Sequence, residues 1–200
     1  MFTMTPKASG LHMFGGRANH RGATPRGSSI PVHKLLSLDL RDPILPFKSE
    51  ALQQLPLYYP LKYGFGGSSM QYLIISDDEI EIFYISHSEP DSDQVAYVKV
   101  ESFPSVRYSL DRHIPNDDHI DWFTITIGGS CTLDHSADRC QNSRCPMYRA
   151  KPQVDLIASI PPVPIPGHKD IWWEFEGGYL LFYFWLCRGC QAIITSNRAT

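Results

Sequence analysis

Four of the five cysteines in this 200-residue chain stand in two close pairs, Cys140 with Cys145 and Cys187 with Cys190. The first pair reads C-x4-C and the second, forty-one residues further on, C-x2-C. Thiolates two to four residues apart can reach one ion from a single turn, and four of them complete the tetrahedron that Zn2+ takes. Such a site leaves no open position for water, so its metal is structural and holds the chain together. Gly189, inside the second pair, is expected to supply a left-handed turn residue. Two other readings stay open: a C-x-x-C disulfide switch, and four buried free thiols. The fifth thiol, Cys131, and His135, five residues before Cys140, are the substitute ligands. Arg139, Arg144, Arg149, Lys151 and Arg188 flank the pairs, with no acid between Asp138 and Asp155. They fit compensation of a four-thiolate zinc charge, or alternatively a nucleic-acid patch.

Other groupings of reactive residues are weaker. Asp117, Asp118, His119 and Asp121 are adjacent in one polar stretch, where neighbouring carboxylates point in different directions. Cys131, Asp134 and His135 include the residue types of a nucleophilic triad, but triads are assembled from distant segments. The glycine-rich 64–69 stretch lacks the Lys-Ser/Thr of a phosphate loop and reads as a turn. An enzyme built from these parts would be hydrolase-like, with a cleft beside Gly128-Gly129 using Asp121, Cys131 or His135.

The elements that must position the cysteines are strands. Residues 71–76 and 79–86 are β-rich runs joined by Asp77-Asp78, the pattern of a tight hairpin. A third run at 95–100 extends it to an antiparallel meander. Residues 122–127 form a strand that stops at Gly128-Gly129, and 154–160 one that ends at Pro161 and Pro162. The runs 179–187 and 191–196 flank Cys187-Arg188-Gly189-Cys190, which makes a hairpin with a metal-binding tip. Pairing of 154–160 with 179–186 would bring the two cysteine pairs together. Residues 35–46 read as a short extended or irregular entry, and 103–121 as irregular. The class is mainly β (α+β at most), with a zinc-ribbon-like hairpin corner within 122–196 of one domain spanning 30–200. Residues 1–29 read as a disordered basic arm: residues 1–38 carry five basic side chains and no acid, with many glycines, serines and prolines.

Composition narrows the function classes. The chain is 42% hydrophobic with a net charge of −3, enough apolar residues for a core and too little positive charge for a dedicated nucleic-acid binder. No apolar run approaches the ~18 residues of a membrane helix, so no membrane partner is expected. Cysteines without a secretory hydrophobic segment point to a reducing, cytoplasmic setting. Residues 77–121 hold twelve acids against three basic residues, which suits docking of a basic protein or a solvated sheet edge. Trp172, Trp173, Phe175, Tyr179 and the 182–185 run form an aromatic belt, read as core packing with an exposed remainder available to a partner.

Leu55-Pro56-Leu57-Tyr58-Tyr59, Ile127-Gly128-Gly129-Ser130, the paired cysteines and the aromatic strand ending in Cys-x-x-Cys resemble the bacterial YwqG-like proteins. More distantly, the pattern is similar to the programmed-cell-death-2-like zinc proteins. Where those families carry Cys-Pro-x-Cys, this chain has Cys145-Pro146-Met147 followed by Tyr148, which moves the first ligand back to Cys140. The resemblance implies a β-rich fold with a zinc-ribbon-like corner and no particular reaction. Its eukaryotic branch implies escort of a ribosomal subunit protein. The expected function is therefore a non-enzymatic, zinc-stabilised protein-binding module (escort, inhibitor or immunity-like) using an acidic and aromatic surface. The alternatives are the hydrolase-like enzyme and an RNA-contacting zinc ribbon.

Overall fold

Eleven antiparallel strands, in one sheet, account for nearly all regular structure in the computed structural model, which describes residues 1–64, 68–90, 102–112, 124–129, 138–150, 153–161 and 180–199. In chain order they are β1 (Phe2–Pro6), β2 (His12–Gly16), β3 (His33–Asp39), β4 (Gln54–Tyr59), β5 (Met70–Ser76), β6 (Glu79–Ile85), β7 (Phe103–Arg112), β8 (Thr126–Ile127), β9 (Val154–Ile160), β10 (Leu180–Cys187) and β11 (Ile193–Ala199). The spatial order is β4-β3-β2-β7-β1-β8-β9-β10-β11-β5-β6. No α-helix occurs among the described residues. None of the described helical structure is long and apolar enough to cross a membrane.

The basic N-terminal segment is not a disordered arm. β1 lies between β7 and β8, β2 lies between β3 and β7, and Met4, His12 and Phe14 are buried. The glycines that suggested disorder instead allow backbones to approach. A Cβ on Gly10 would lie 2.1 Å from the Tyr108 carbonyl oxygen, and one on Gly22 would lie 1.9 Å from that of Ile80. Likewise the 103–121 stretch is not irregular throughout, because β7 runs for ten residues and pairs with both β1 and β2. Serines and Arg107 on its open side obscure the alternation of Phe103, Tyr108 and Leu110, which are buried. The 35–46 entry also contains a regular strand, β3, with Leu35, Leu36 and Leu38 all buried.

The β5–β6 hairpin forms where the sequence placed it, with Asp77-Asp78 at its tip and Ile74 opposite Ile80. The 95–100 run lies outside the described residues, as do 122–123 of the 122–127 run. Each of β9, β10 and β11 forms, and β9 pairs with β10 from Val154 opposite Cys187 to Ile160 opposite Phe182.

The sheet curls so that its first strand meets the far side. The Tyr58 backbone N–H donates to Tyr72 Oη at 3.0 Å, and Tyr72 Oη donates to the Pro56 carbonyl at 2.9 Å. Asp77 Oδ1 accepts from the backbone N–H groups of Gln53 and Gln54. With Pro56 lacking a donor, these bonds use up the outward N–H groups of β4, an edge that would otherwise invite another strand. Phe14, Leu57, Tyr58, Tyr59, Phe182 and Phe184 fill the main core within the curl.

β10 is apolar on both faces, and both are used. Phe182 and Phe184 enter the main core, whereas Leu181, Tyr183, Trp185 and Cys187 face outward into a second one. Leu156, Ala192 and Ile194 join that second core, together with Cys140 and Cys145. The 182–185 part of the aromatic belt is thus packing and not exposed surface. Trp172, Trp173, Phe175 and Tyr179 lie outside the described residues.

Candidate metal centre

Two turns build the site. The first is the 138–150 loop. There the Asn142 carbonyl accepts from the Cys145 N–H at 2.9 Å, and the Cys140 carbonyl accepts from the Arg149 N–H at 2.9 Å. The second is the tip of the β10–β11 hairpin, where the Cys187 carbonyl accepts from the Gln191 N–H at 2.8 Å. That tip is tied to the start of β9 by the Arg188 N–H, which donates to the Gln153 carbonyl.

The turns bring four sulfur atoms to one point. Cys140 Sγ lies 3.7 Å from Cys190 Sγ, and Cys145 Sγ lies 3.7 Å from Cys187 Sγ. All four are within 4.8 Å of one another, and all but Cys190 are buried. Disulfide bonding needs about 2.05 Å, and all four thiols are free. A tetrahedron with metal–sulfur bonds of about 2.3 Å has edges near 3.8 Å, which these closest pairs match. The cluster can therefore hold a metal ion.

Backbone amides surround the sulfurs. The Met147 N–H donates to Cys145 Sγ at 3.3 Å, and the Asn142 amide serves Cys140 in the same way. Cys187 receives the amides of Cys190 and Gly189. Burial pushes the Cys140 and Cys145 thiols up, since a dry site disfavours an unpaired thiolate. Burial acts the same way on Cys187, but its two amides and the neighbouring thiols outweigh it and hold the group below its usual range. Amides that accommodate negative sulfur suit thiolates gathered on a cation.

The groups seen at the sulfurs are these amides, and three of the flanking arginines have partners elsewhere. Arg188 is held by Asp155 at 2.5 and 2.9 Å, Arg144 lies 4.0 Å from Glu81, and Arg149 covers the Tyr148 ring at 4.9 Å. Lys151 lies outside the described residues.

The two turns are alike in detail. In each, an amide two residues after the leading cysteine points at its sulfur, and a left-handed non-glycine follows four residues on: Arg149 at φ 56° and Gln191 at φ 60°. Tyr148 occupies the place of Cys190 in the first turn, and Cys140 supplies the missing sulfur. Gly189 is not the left-handed residue expected of it. Its role is space, because a Cβ there would lie 2.8 Å from Cys145 Sγ and 2.9 Å from Met147 Cγ. Gly189→Ala is expected to cost about 1–3 kcal/mol of overpacking, borne by a sulfur with nowhere to go. Chelator competition checks this: metal affinity should fall about 5–150-fold, and an unchanged affinity contradicts the account.

Cys131, Asp134, His135, Asp117, Asp118, His119 and Asp121 lie outside the described residues. Gly128 and Gly129 form a turn with φ of 69° and 93° against Pro46 and Met1. An open cleft is lined, among the described residues, by Met13, Ser105, Val106 and Arg107. Buried His12 is structural: its Nδ1 accepts from the Asp39 N–H and its Nε2 donates to Asp42 Oδ2 at 3.0 Å. Burial holds it neutral against the pull of Asp42.

One positioning residue has no sequence signal. Gln71, on β5, is buried at 0% exposure; its Nε2 donates to the Arg139 carbonyl and its Oε1 accepts from the Gln141 N–H, both at 2.8 Å. Compared with family models, curated proteins and solved structures, the chain matches none of them.

Proposed function

We propose that Cys140, Cys145, Cys187 and Cys190 hold one Zn2+ as a structural ion, making a zinc-ribbon-like corner on the outer face of the sheet. The protein is then a non-enzymatic, zinc-stabilised module of the cytoplasm that binds a basic protein through its acidic face. The observation that carries the metal reading is the convergence of four sulfurs within 4.8 Å of one another, two pairs of them at 3.7 Å, under backbone amides. Among metals, tetrahedral four-sulfur sites suit zinc or iron, and a closed structural role without redox demand suits zinc. The docking face is the β5–β6 hairpin, with Asp78 and Glu81 exposed, continuous in sequence with the acid-rich 77–121 stretch.

Elemental analysis of the untagged chain should find one zinc per molecule and no iron. The immobilised protein should retain a basic partner at low salt and release it as salt screens the contact. Asp78→Lys with Glu81→Lys should abolish that retention while leaving the zinc in place. Absence of zinc removes the metal reading. Partner capture that survives both high salt and the double charge reversal removes the docking reading.

A further inference from the structure

We infer that Gln71 is the residue that positions Cys140 as the fourth metal ligand, and that through it the β5–β6 hairpin is part of the metal centre. This rests on the metal reading above. The second turn needs no such help: Cys187 and Cys190 are three residues apart on one hairpin tip, and the amides of that tip address Cys187. The first turn contributes only Cys145 from its own geometry, because Tyr148 stands where a second cysteine would complete it.

Cys140 must therefore be delivered from five residues upstream: the Arg149 N–H ties its carbonyl within the loop, and Gln71 ties that segment to the sheet. Its primary amide spans the peptide groups on either side of Cys140, donating to the Arg139 carbonyl and accepting from the Gln141 N–H. The orientation of the amide is determined, since a carbonyl only accepts and an N–H only donates. The pair of bonds imitates one rung of a β-ladder, with a side chain in place of a strand. Gln71 is itself anchored, because its backbone sits on β5 opposite Ile194 of β11 and Tyr84 of β6. The chain from Gln71 to Cys140 to the cysteine cluster thus links an interior strand to the sulfurs. Gln71 itself is fully buried and its two bonds are part-buried, so their loss leaves a buried amide short of partners. Second partners of this kind typically set metal affinity by 10–100-fold.

The test uses the full chain and Co2+ as the probe, whose visible absorption reports the number of coordinating thiolates. Gln71→Met keeps the volume and removes both bonds. Gln71→Glu keeps the acceptor for Gln141 and removes the donor to Arg139. Wild type is expected to bind one Co2+ with a four-thiolate spectrum. Gln71→Met should bind about 10–100-fold more weakly with the spectrum of a site short of one thiolate, and Gln71→Glu should fall between. In a Cys140→Ser background, Gln71→Met should cause no further loss, because its effect runs through Cys140 alone. Wild-type affinity and spectrum in either Gln71 variant overturn the inference and leave the metal centre standing. An equal loss from Gln71→Met with and without Cys140 also overturns it, since that is general destabilisation. A wild-type chain that takes up no Co2+ overturns the metal reading and this inference with it.

Discussion

Stripping the metal with a chelator should lower the melting temperature of the full chain by roughly 8–16 °C. A ligand present at a thousand times its dissociation constant stabilises the folded state by about 4 kcal/mol. For a chain of this size each kcal/mol moves the midpoint by about 2–4 °C. Cys187→Ser should lose at least as much and no longer respond to added zinc, since its sulfur is the one that receives two amides. The loss should be visible at a defined place. The ion would join the 138–150 loop to the β10–β11 tip, and Cys140, Cys145 and Met147 of that loop share a core with Leu156, Tyr183, Trp185 and Ile194. Opening it wets Trp185, which is 6% exposed and whose Nε1 donates to Ser196 Oγ at 3.4 Å. Its emission should shift to the red on chelation and return with Zn2+. Equal melting curves with and without chelator, together with a wild-type midpoint for Cys187→Ser, would show that the four thiols are core residues only.

The parts of this site that could be read from the sequence are those whose chemistry demands short-range spacing. Two cysteine pairs, and strands of matching length on both sides of Cys187 and Cys190, are local facts, and the structure keeps them. Cys140 as the fourth sulfur was also legible, although Cys131 and His135 stood beside it as substitutes. Gln71 was not. A glutamine in Met70-Gln71-Tyr72-Leu73 looks like the polar side of a half-buried strand, and only the fold reveals that residues 139–141 lie across it. Gly189 was misread for a related reason: its conformation is local, but the crowding that requires it comes from Cys145, forty-four residues away in sequence. The N-terminal strands failed on composition. Positive charge and glycine are the marks of an unfolded tail when a segment must stabilise itself, yet β1 and β2 take their burial from β7, β3 and β8. Strand propensity is mostly a statement about such neighbours.

That difference gives the largest expected effect outside the metal centre. Deleting residues 1–16 should leave a chain that does not fold, where removal of a disordered arm would leave stability unchanged. Among the described residues β1 is the only strand joining β7 to β8, with Phe2 opposite both Arg112 and Ile127. Without it the sheet divides into β4-β3-β2-β7 on one side and β8-β9-β10-β11-β5-β6 on the other, and the same deletion removes β2 from the first of these. Each half would then present raw strand edges and an uncovered core, with no local element able to replace the lost pairing. A gentler version isolates the packing contribution. Phe14 is fully buried, with its ring 5.8 Å from Phe103 and 6.2 Å from Tyr108, so Phe14→Ala should cost about 3–5 kcal/mol. Arg26→Ala, on an exposed residue of the same segment, should stay within about 0.5 kcal/mol of wild type. Denaturant titration of the three proteins decides the matter. If the chain lacking residues 1–16 unfolds cooperatively at the wild-type midpoint, β1 and β2 are not structural and the strand order proposed for the centre of the sheet is wrong. If it fails while Arg26→Ala is silent, the basic segment owes its composition to what it packs against, and its glycines to the backbones they touch.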